Sequence, residues 1–224
     1  MDTDTDRTIV KNIATIFQAR LTKSAVDSAL LGGAGAPMLT VFAYKGERWV
    51  GAFDWGLIAW GRSEEGQLHS RAETLRANAG NRPLTIRRCV IPMPFFHQRI
   101  TVDGLGAGTV GKRARVERGD GIFIAAAGIW DEWKSPDGQE VRRTCAIVTT
   151  TPNDTMAQIH DRMPVILPAQ AWDMWLNPEE RSPKAVLSLL QPWSGAPLLI
   201  TLAEKSKAAP KPPSPQTGDL FGSL

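Results

Sequence analysis

The chain of 224 residues has only two cysteines, Cys89 and Cys145. They stand far apart and no CxxC pair occurs, which excludes a disulfide framework and a zinc knuckle. Histidine is nearly as scarce. His69, His97 and His160 are scattered and no HExxH is present, so neither a metal centre nor a cofactor is expected. No apolar run approaches the roughly 20 residues that a membrane span needs. The N-terminus, MDTDTD, is acidic and polar, unlike a secretory signal. A cytoplasmic protein with no membrane partner is the expectation. Phosphate-cradling loops are missing too. GGAG at 32–35 has no following Lys, and DGLGAG at 103–108 lacks a strand-to-helix setting, so both read as turns.

What is present describes a globular chain, 42% hydrophobic and 22% charged, long enough for one domain and a tail. A net charge of +3 and a pI near 9.0 permit nucleic-acid binding without requiring it. Basic residues gather at Arg82, Arg87, Arg88 and Arg99, and again at Lys112, Arg113, Arg115 and Arg118. Each group is either a solvated face or an electrostatic footprint.

Residues 7–31 carry Ile9, Ile13, Ile16, Phe17 and Leu21 at helical spacing, ended by Gly32 and Gly33, which predicts one helix. MLTVFAY and RWVGAFDWGLIAW flank the turn Lys45-Gly46-Glu47 and predict paired strands. LTIRRCVIPMPFF reads as a strand broken by Pro92 and Pro94. GIFIAAAGIWDEW and RRTCAIVTTT flank Ser135-Pro136-Asp137-Gly138, a hairpin signal. Helical stretches follow near 153–159, 168–177 and 182–191. The sum is an α+β fold with a mainly antiparallel β-sheet core and peripheral helices, over residues 1–203. From 204 to 224 the chain turns rich in Lys, Pro, Ala and Ser without hydrophobic period, which predicts a disordered tail.

The most specific segment is IHDRMPVIL at 159–167. A His-Asp-Arg group against an apolar run is either a site held by the core or a capped helix end with a surface ion pair. Its form, His160-Asp161-Arg162-Met163-Pro164, resembles a motif of the SOS response-associated peptidase (SRAP) family, which engages abasic sites in single-stranded DNA. WGLIAW at 55–60, SRAET at 70–74, RRCVIP at 87–92, GIWDEW at 128–133, CAIVTTTPNDTMAQ and AWDMWLNP at 171–178 resemble further family segments, in the right order. The resemblance runs from about Gly35 to Pro192.

It implies a single SRAP-like domain and a chemistry. In the family a Cys exposed by Met removal captures the abasic aldehyde through its α-amine and thiol as a thiazolidine, with a Glu and the motif His moving protons. By resemblance this chain keeps Arg71, Glu73 and the acid–base His160. It departs at Asp2, which follows Met1 where the Cys belongs. It departs again at Gln98, which takes the position of the Glu and cannot shuttle a proton near neutral pH. His69 replaces the motif Asn. Cys89 and Cys145 both sit in apolar strands and read as core. These departures predict binding of single-stranded or abasic-site DNA without the crosslink, and offer no basis for proteolysis. DNA contacts are expected from Arg71, Glu73, Arg87, Arg88, Arg162, Trp55 and Trp60, since single strands bind through charge and base stacking. Alternatives are an altered abasic-site enzyme, acting by an imine at the Met1 amine or through its histidines, and a protein-interaction module. QTGDLF at 216–221 resembles peptides that dock on DNA sliding clamps, with Gln216, Leu220 and Phe221 as the contacts; a terminus packed on its own domain is the competing reading.

Overall fold

The computed structural model describes residues 3–27, 37–58, 66–77, 86–135, 137–180 and 182–203. Met1, Asp2, Trp60 and the tail with Gln216, Leu220 and Phe221 lie outside the described residues.

Helix α1 (Thr3–Ile16) ends where Gln18 adopts a φ of 49°. The chain then forms β1 (Arg20–Leu21), which pairs in parallel with Trp49 and Val50, before α2 (Lys23–Asp27). The single helix expected from 7 to 31 is therefore replaced by helix, strand and helix. Helical periodicity is a local signal, and pairing with a strand some thirty residues away overrides it. The buried stripe of α1 is Val10, Ile13 and Ala14, followed by Phe17, while Ile9 and Ile16 face outward.

The hairpin of β2 (Pro37–Tyr44) and β3 (Glu47–Trp55) closes on Lys45 and Gly46, with φ values of 51° and 77°. Two left-handed residues in a two-residue loop match the right-handed twist of the strands. β4 (His69–Arg71) leads into α3 (Ala72–Ala77). β5 (Arg88–Met93) accommodates Pro92, because its ladder with β2 covers only Cys89 and Val90. The break comes at Pro94. Beyond it β6 (Phe96–Arg99) joins a different sheet with β7 (Arg113–Arg118). β8 (Ile124–Lys134) and β9 (Val141–Thr150) form the expected second hairpin, its loop tied by Gly138 N–H to Ser135 O at 2.8 Å. The chain ends through α4 (Asp154–Ala157), β10 (Met163–Pro164), a 3-10 turn at Ala169–Ala171, α5 (Trp172–Leu176), α6 (Pro183–Ser188) and β11 (Leu198–Leu202).

The eight-stranded sheet runs β1-β3-β2-β5-β8-β9-β10, with β4 also on β9. β3 pairs with β9 as well, at Asp54 with Thr144 and Trp55 with Cys145, so β3, β2, β5, β8 and β9 form a closed ring of ladders. The long ladders are antiparallel; β1–β3, β3–β9 and β4–β9 are short parallel pairings. β11, β7 and β6 make the three-stranded sheet.

Period-2 alternation divides the core. Phe42, Cys89, Ile91, Ala126, Trp130, Cys145 and Ile147 form one cluster. Their neighbours Val41, Val90, Ala125, Ala127, Ile129, Ala146 and Val148 form the other, under α1, α5 and α6. Phe42, Phe53 and Trp130 meet with centroids 4.8–5.4 Å apart, although β3 and β8 are not neighbours in the ladder. That contact places the first cluster inside the ring. Among the described residues, no helix is long and apolar enough to cross a membrane.

Candidate functional site

β4 presents His69 and Arg71 outward and buries Ser70 between them, as strand alternation requires. Its parallel ladder to β9 sets His69 against Ile147 and Arg71 against Thr149. Trp55, at the end of β3, donates its indole N–H to Leu68 O at 2.9 Å and meets the His69 ring edge-on at 5.6 Å.

His160 comes from another direction. Asn153 caps α4 by accepting the Met156 N–H, and the short helix delivers the chain to Gln158, Ile159 and His160. Three backbone donors from the loop after β6 hold that turn: Thr101 and Val102 N–H on Ile159 O, and Gly104 N–H on Gln158 O at 3.0 Å. The imidazole is half-buried. Its Nδ1 accepts the Arg162 N–H at 2.9 Å, so the neutral ring carries its proton on Nε2. Asp161 Oδ1 lies 3.1 Å from the same Nδ1, a contact that becomes an ion pair only if Nδ1 is protonated and the Arg162 N–H is released.

Arg162 reaches back across the sheet. Its guanidinium forks onto Glu73 at 3.0 Å on both oxygens and also donates to Thr149 O at 2.8 Å. Hydrogen bonding from Arg162 holds the Glu73 carboxyl below its usual range. The pair thus ties α3, β9 and the His160 turn together.

Crowding by protein atoms, and secondarily the charge of His160, push the His69 imidazole below its ordinary value, even though part of the ring meets solvent. A depressed folded value means that the neutral ring favours the fold. Its contribution is present above pH 6.5, the unfolded value, and is lost as pH falls from there through the folded value. His69→Asn is therefore expected to lessen the loss of urea-unfolding stability between pH 7.5 and pH 5. An unchanged loss would remove His69 from that balance.

The structure thus gathers Trp55, His69, Arg71, Glu73, His160 and Arg162 at one edge of the large sheet. Other elements carry the remaining expected residues. Gln98 is on β6, in the small sheet, where its amide donates to Arg99 O at 3.2 Å; no hydrogen bond among the described residues joins it to either histidine. Arg87 pairs with Asp131 and lies over the Trp130 ring at 5.0 Å. Arg88 requires a correction. It is 3% exposed, and its guanidinium donates to the carbonyls of Trp175, Asn177 and Glu180, so it belongs to the scaffold and not to a DNA surface. Both cysteines are fully buried. Burial pushes the Cys145 thiol up to about 12 and the Cys89 thiol well above its usual value. Thr149, which anchors Arg162, and the 101–104 loop, which anchors His160, were missed by motif reading. Their contributions are mainly backbone groups, which no residue type announces, joined by the hydroxyls of Thr149 and Thr101.

The family model of the SOS response associated peptidase (SRAP) matches residues 11–205. The chain is 33% identical over 184 residues, 80% of each chain, to the abasic site processing protein YoqW of Bacillus subtilis. It is 36% identical over 149 residues to YoaM of the same organism, another abasic site processing protein, covering 64% of this chain and 63% of that one. A shorter match, 37% over 71 residues, covers 31% of this chain and 21% of the abasic site processing protein HMCES of Xenopus tropicalis. Two solved structures share the fold. One, from Bacteroides thetaiotaomicron, has a TM-score of 0.71 at 22% identity and covers 89% of both chains. The other, from Bordetella bronchiseptica, has 0.69 at 18%, over 87% of this chain and 95% of that one. The matched segment takes in every strand of both sheets and the whole edge cluster, and the chain belongs to the SRAP family.

Proposed function

We propose that this protein binds single-stranded or abasic-site DNA at the edge cluster, without forming a thiazolidine crosslink. The observation that carries the reading is the pairing of an exposed cation with two imidazoles on one rim. Arg71 stands beside His69, with His160 close by, and among the described residues no ion pair engages Arg71. A guanidinium free to meet phosphate is what backbone binding needs, and Trp55 adds an aromatic edge beside it. Relatives named abasic site processing proteins make an abasic site the preferred substrate feature.

The supply of thiols supports the absence of a thiazolidine crosslink. Only Cys89 and Cys145 occur, both in the core with their thiols held protonated, and neither can reach an aldehyde on the rim. The amide of Gln98 cannot act as a general acid or base near neutral pH. Glu73 and Arg162 pair with each other and hold the rim in place, while Arg71 meets the strand.

A gel shift with single-stranded DNA, intact or with one abasic site, tests this. Native and denaturing gels would be run with and without borohydride. The expected result is a salt-dependent native shift that vanishes on denaturation, with binding about tenfold weaker for Arg71→Ala. A denaturation-resistant band would replace this reading with a covalent one, and a borohydride requirement would route it through an imine. No shift in any lane would sink the DNA reading and move attention to the tail and a sliding clamp.

A further inference from the structure

The small sheet carries a second cationic surface. In an antiparallel ladder, directly opposed residues share a face. His97 opposes Arg115 and Arg99 opposes Arg113, so four basic side chains project from one side of β6 and β7. The alternate residues, Ala114 and Val116, are fully buried on the other side. Opposing like charges destabilise a sheet, and a face shaped for stability alone would alternate signs. Here one carboxylate, Glu117, joins the face and pairs with Arg115 at 2.7 Å. Among the described residues, neither Arg99 nor Arg113 has an acidic partner. Arg115 also lies over Phe95 at 3.7 Å, and Phe95 meets His97 edge-on at 5.3 Å, which adds flat groups to the charge. The His97 imidazole is pushed down by burial and then by Arg113 and Arg115, which places those charges beside it.

We propose that this face is a second nucleic-acid surface, carrying the sugar-phosphate backbone of a single DNA strand away from the edge cluster. Charge complementarity selects the occupant. Continuity supports it, because the chain leaves β6 at Arg99 and passes through Ile100 to Thr101, whose N–H bonds to Ile159 O, one residue before His160. The surface rests on the DNA reading above and extends its footprint.

Fluorescence anisotropy with labelled strands of about 5 and about 20 nucleotides, over a salt series, tests the extension. The full chain is compared with Arg99→Gln/Arg113→Gln and with Arg71→Ala. For the long strand, the double variant should bind about tenfold more weakly at 0.1 M salt. Its log K against log salt slope should be shallower by about 1.4, at roughly 0.7 per phosphate contact. The short strand should bind as before, and the thermal midpoint should stay level or rise as like charges are removed. Unchanged affinity and slope on the long strand overturn the proposal and leave the edge-cluster reading intact. Equal losses on both strands overturn it too, by assigning the arginines to the cluster itself. If the unaltered protein binds neither strand, the DNA reading fails and takes this surface with it.

Discussion

Arg88→Met is expected to cost the protein about 3–5 kcal/mol of folding stability, the scale on which a buried charged network loses a partner. For a domain of this size that lowers the thermal midpoint by about 10 °C. The cause is geometric. α5 ends with carbonyls that lack an intrahelical donor, and the planar guanidinium of Arg88 meets Trp175 O at 2.6 Å, Asn177 O, and Glu180 O at 3.0 Å. Burial depresses its pKa to about 10, partly offset by the charge of Glu180, and it stays protonated at neutral pH. Methionine keeps the apolar stem and leaves three carbonyls without their donor. The Trp175 indole, which donates to Cys89 O at 2.7 Å, loses its brace, and the link from α5 to β5 loosens. Arg88→Lys should recover less than half of the loss, because a compact ammonium cannot span three acceptors in a fork. Urea unfolding measures both variants. A loss under about 1 kcal/mol for Arg88→Met would show that solvent replaces the guanidinium and that the junction is not a buried anchor.

Gly104→Val is expected to weaken DNA binding about tenfold while the fold survives. A Cβ at this glycine would lie 2.5 Å from Gln158 O and 2.7 Å from Gln158 Cα, so backbone must separate from backbone. The Gly104 N–H bond to Gln158 O opens, and the adjoining Thr101 and Val102 bonds to Ile159 O lengthen with it. His160 is the next residue. Its ring accepts the Arg162 N–H, and the docked loop holds the backbone of the two residues before it. A displacement near 1 Å is enough to spoil a constellation of this kind. Gly108→Asn is the control. It lies in the same loop at a φ of 78°, with open space around it and a residue type that tolerates the left-handed region. It should bind DNA as the unaltered chain does. If Gly104→Val also binds normally, the loop does not position His160.

The two hairpins were legible because their turns carry local chemistry: Lys45-Gly46 takes two positive φ values, and Ser135 to Gly138 closes on its own hydrogen bonds. The short apolar runs of β2, β5, β8 and β9 likewise marked themselves as strands. The helix expected over 7–31 failed at Arg20 and Leu21, where a distant strand supplies the partner. The family motifs named His69, Arg71, Glu73, His160 and Arg162 as one set, and the fold gathers these five at one rim. Gln98, aligned with them by the same motifs, stands on the small sheet, and among the described residues no hydrogen bond joins it to the histidines.

Adjacent residues show most clearly where sequence stops deciding. Arg87 and Arg88 are chemically identical neighbours, one just before β5 and the other its first residue. One pairs with Asp131 beside Trp130, and the other is locked beneath α5. Composition, periodicity and turn residues determined the α+β class and the strand pairs, and short motifs carried the resemblance to the family, because each is written in short stretches of chain. Ring closure through β3 and β9, the meeting of His69 with His160, and the burial of Arg88 depended on contacts between segments far apart in sequence. Such contacts are set by the packing of whole faces, and no single stretch of chain contains both partners.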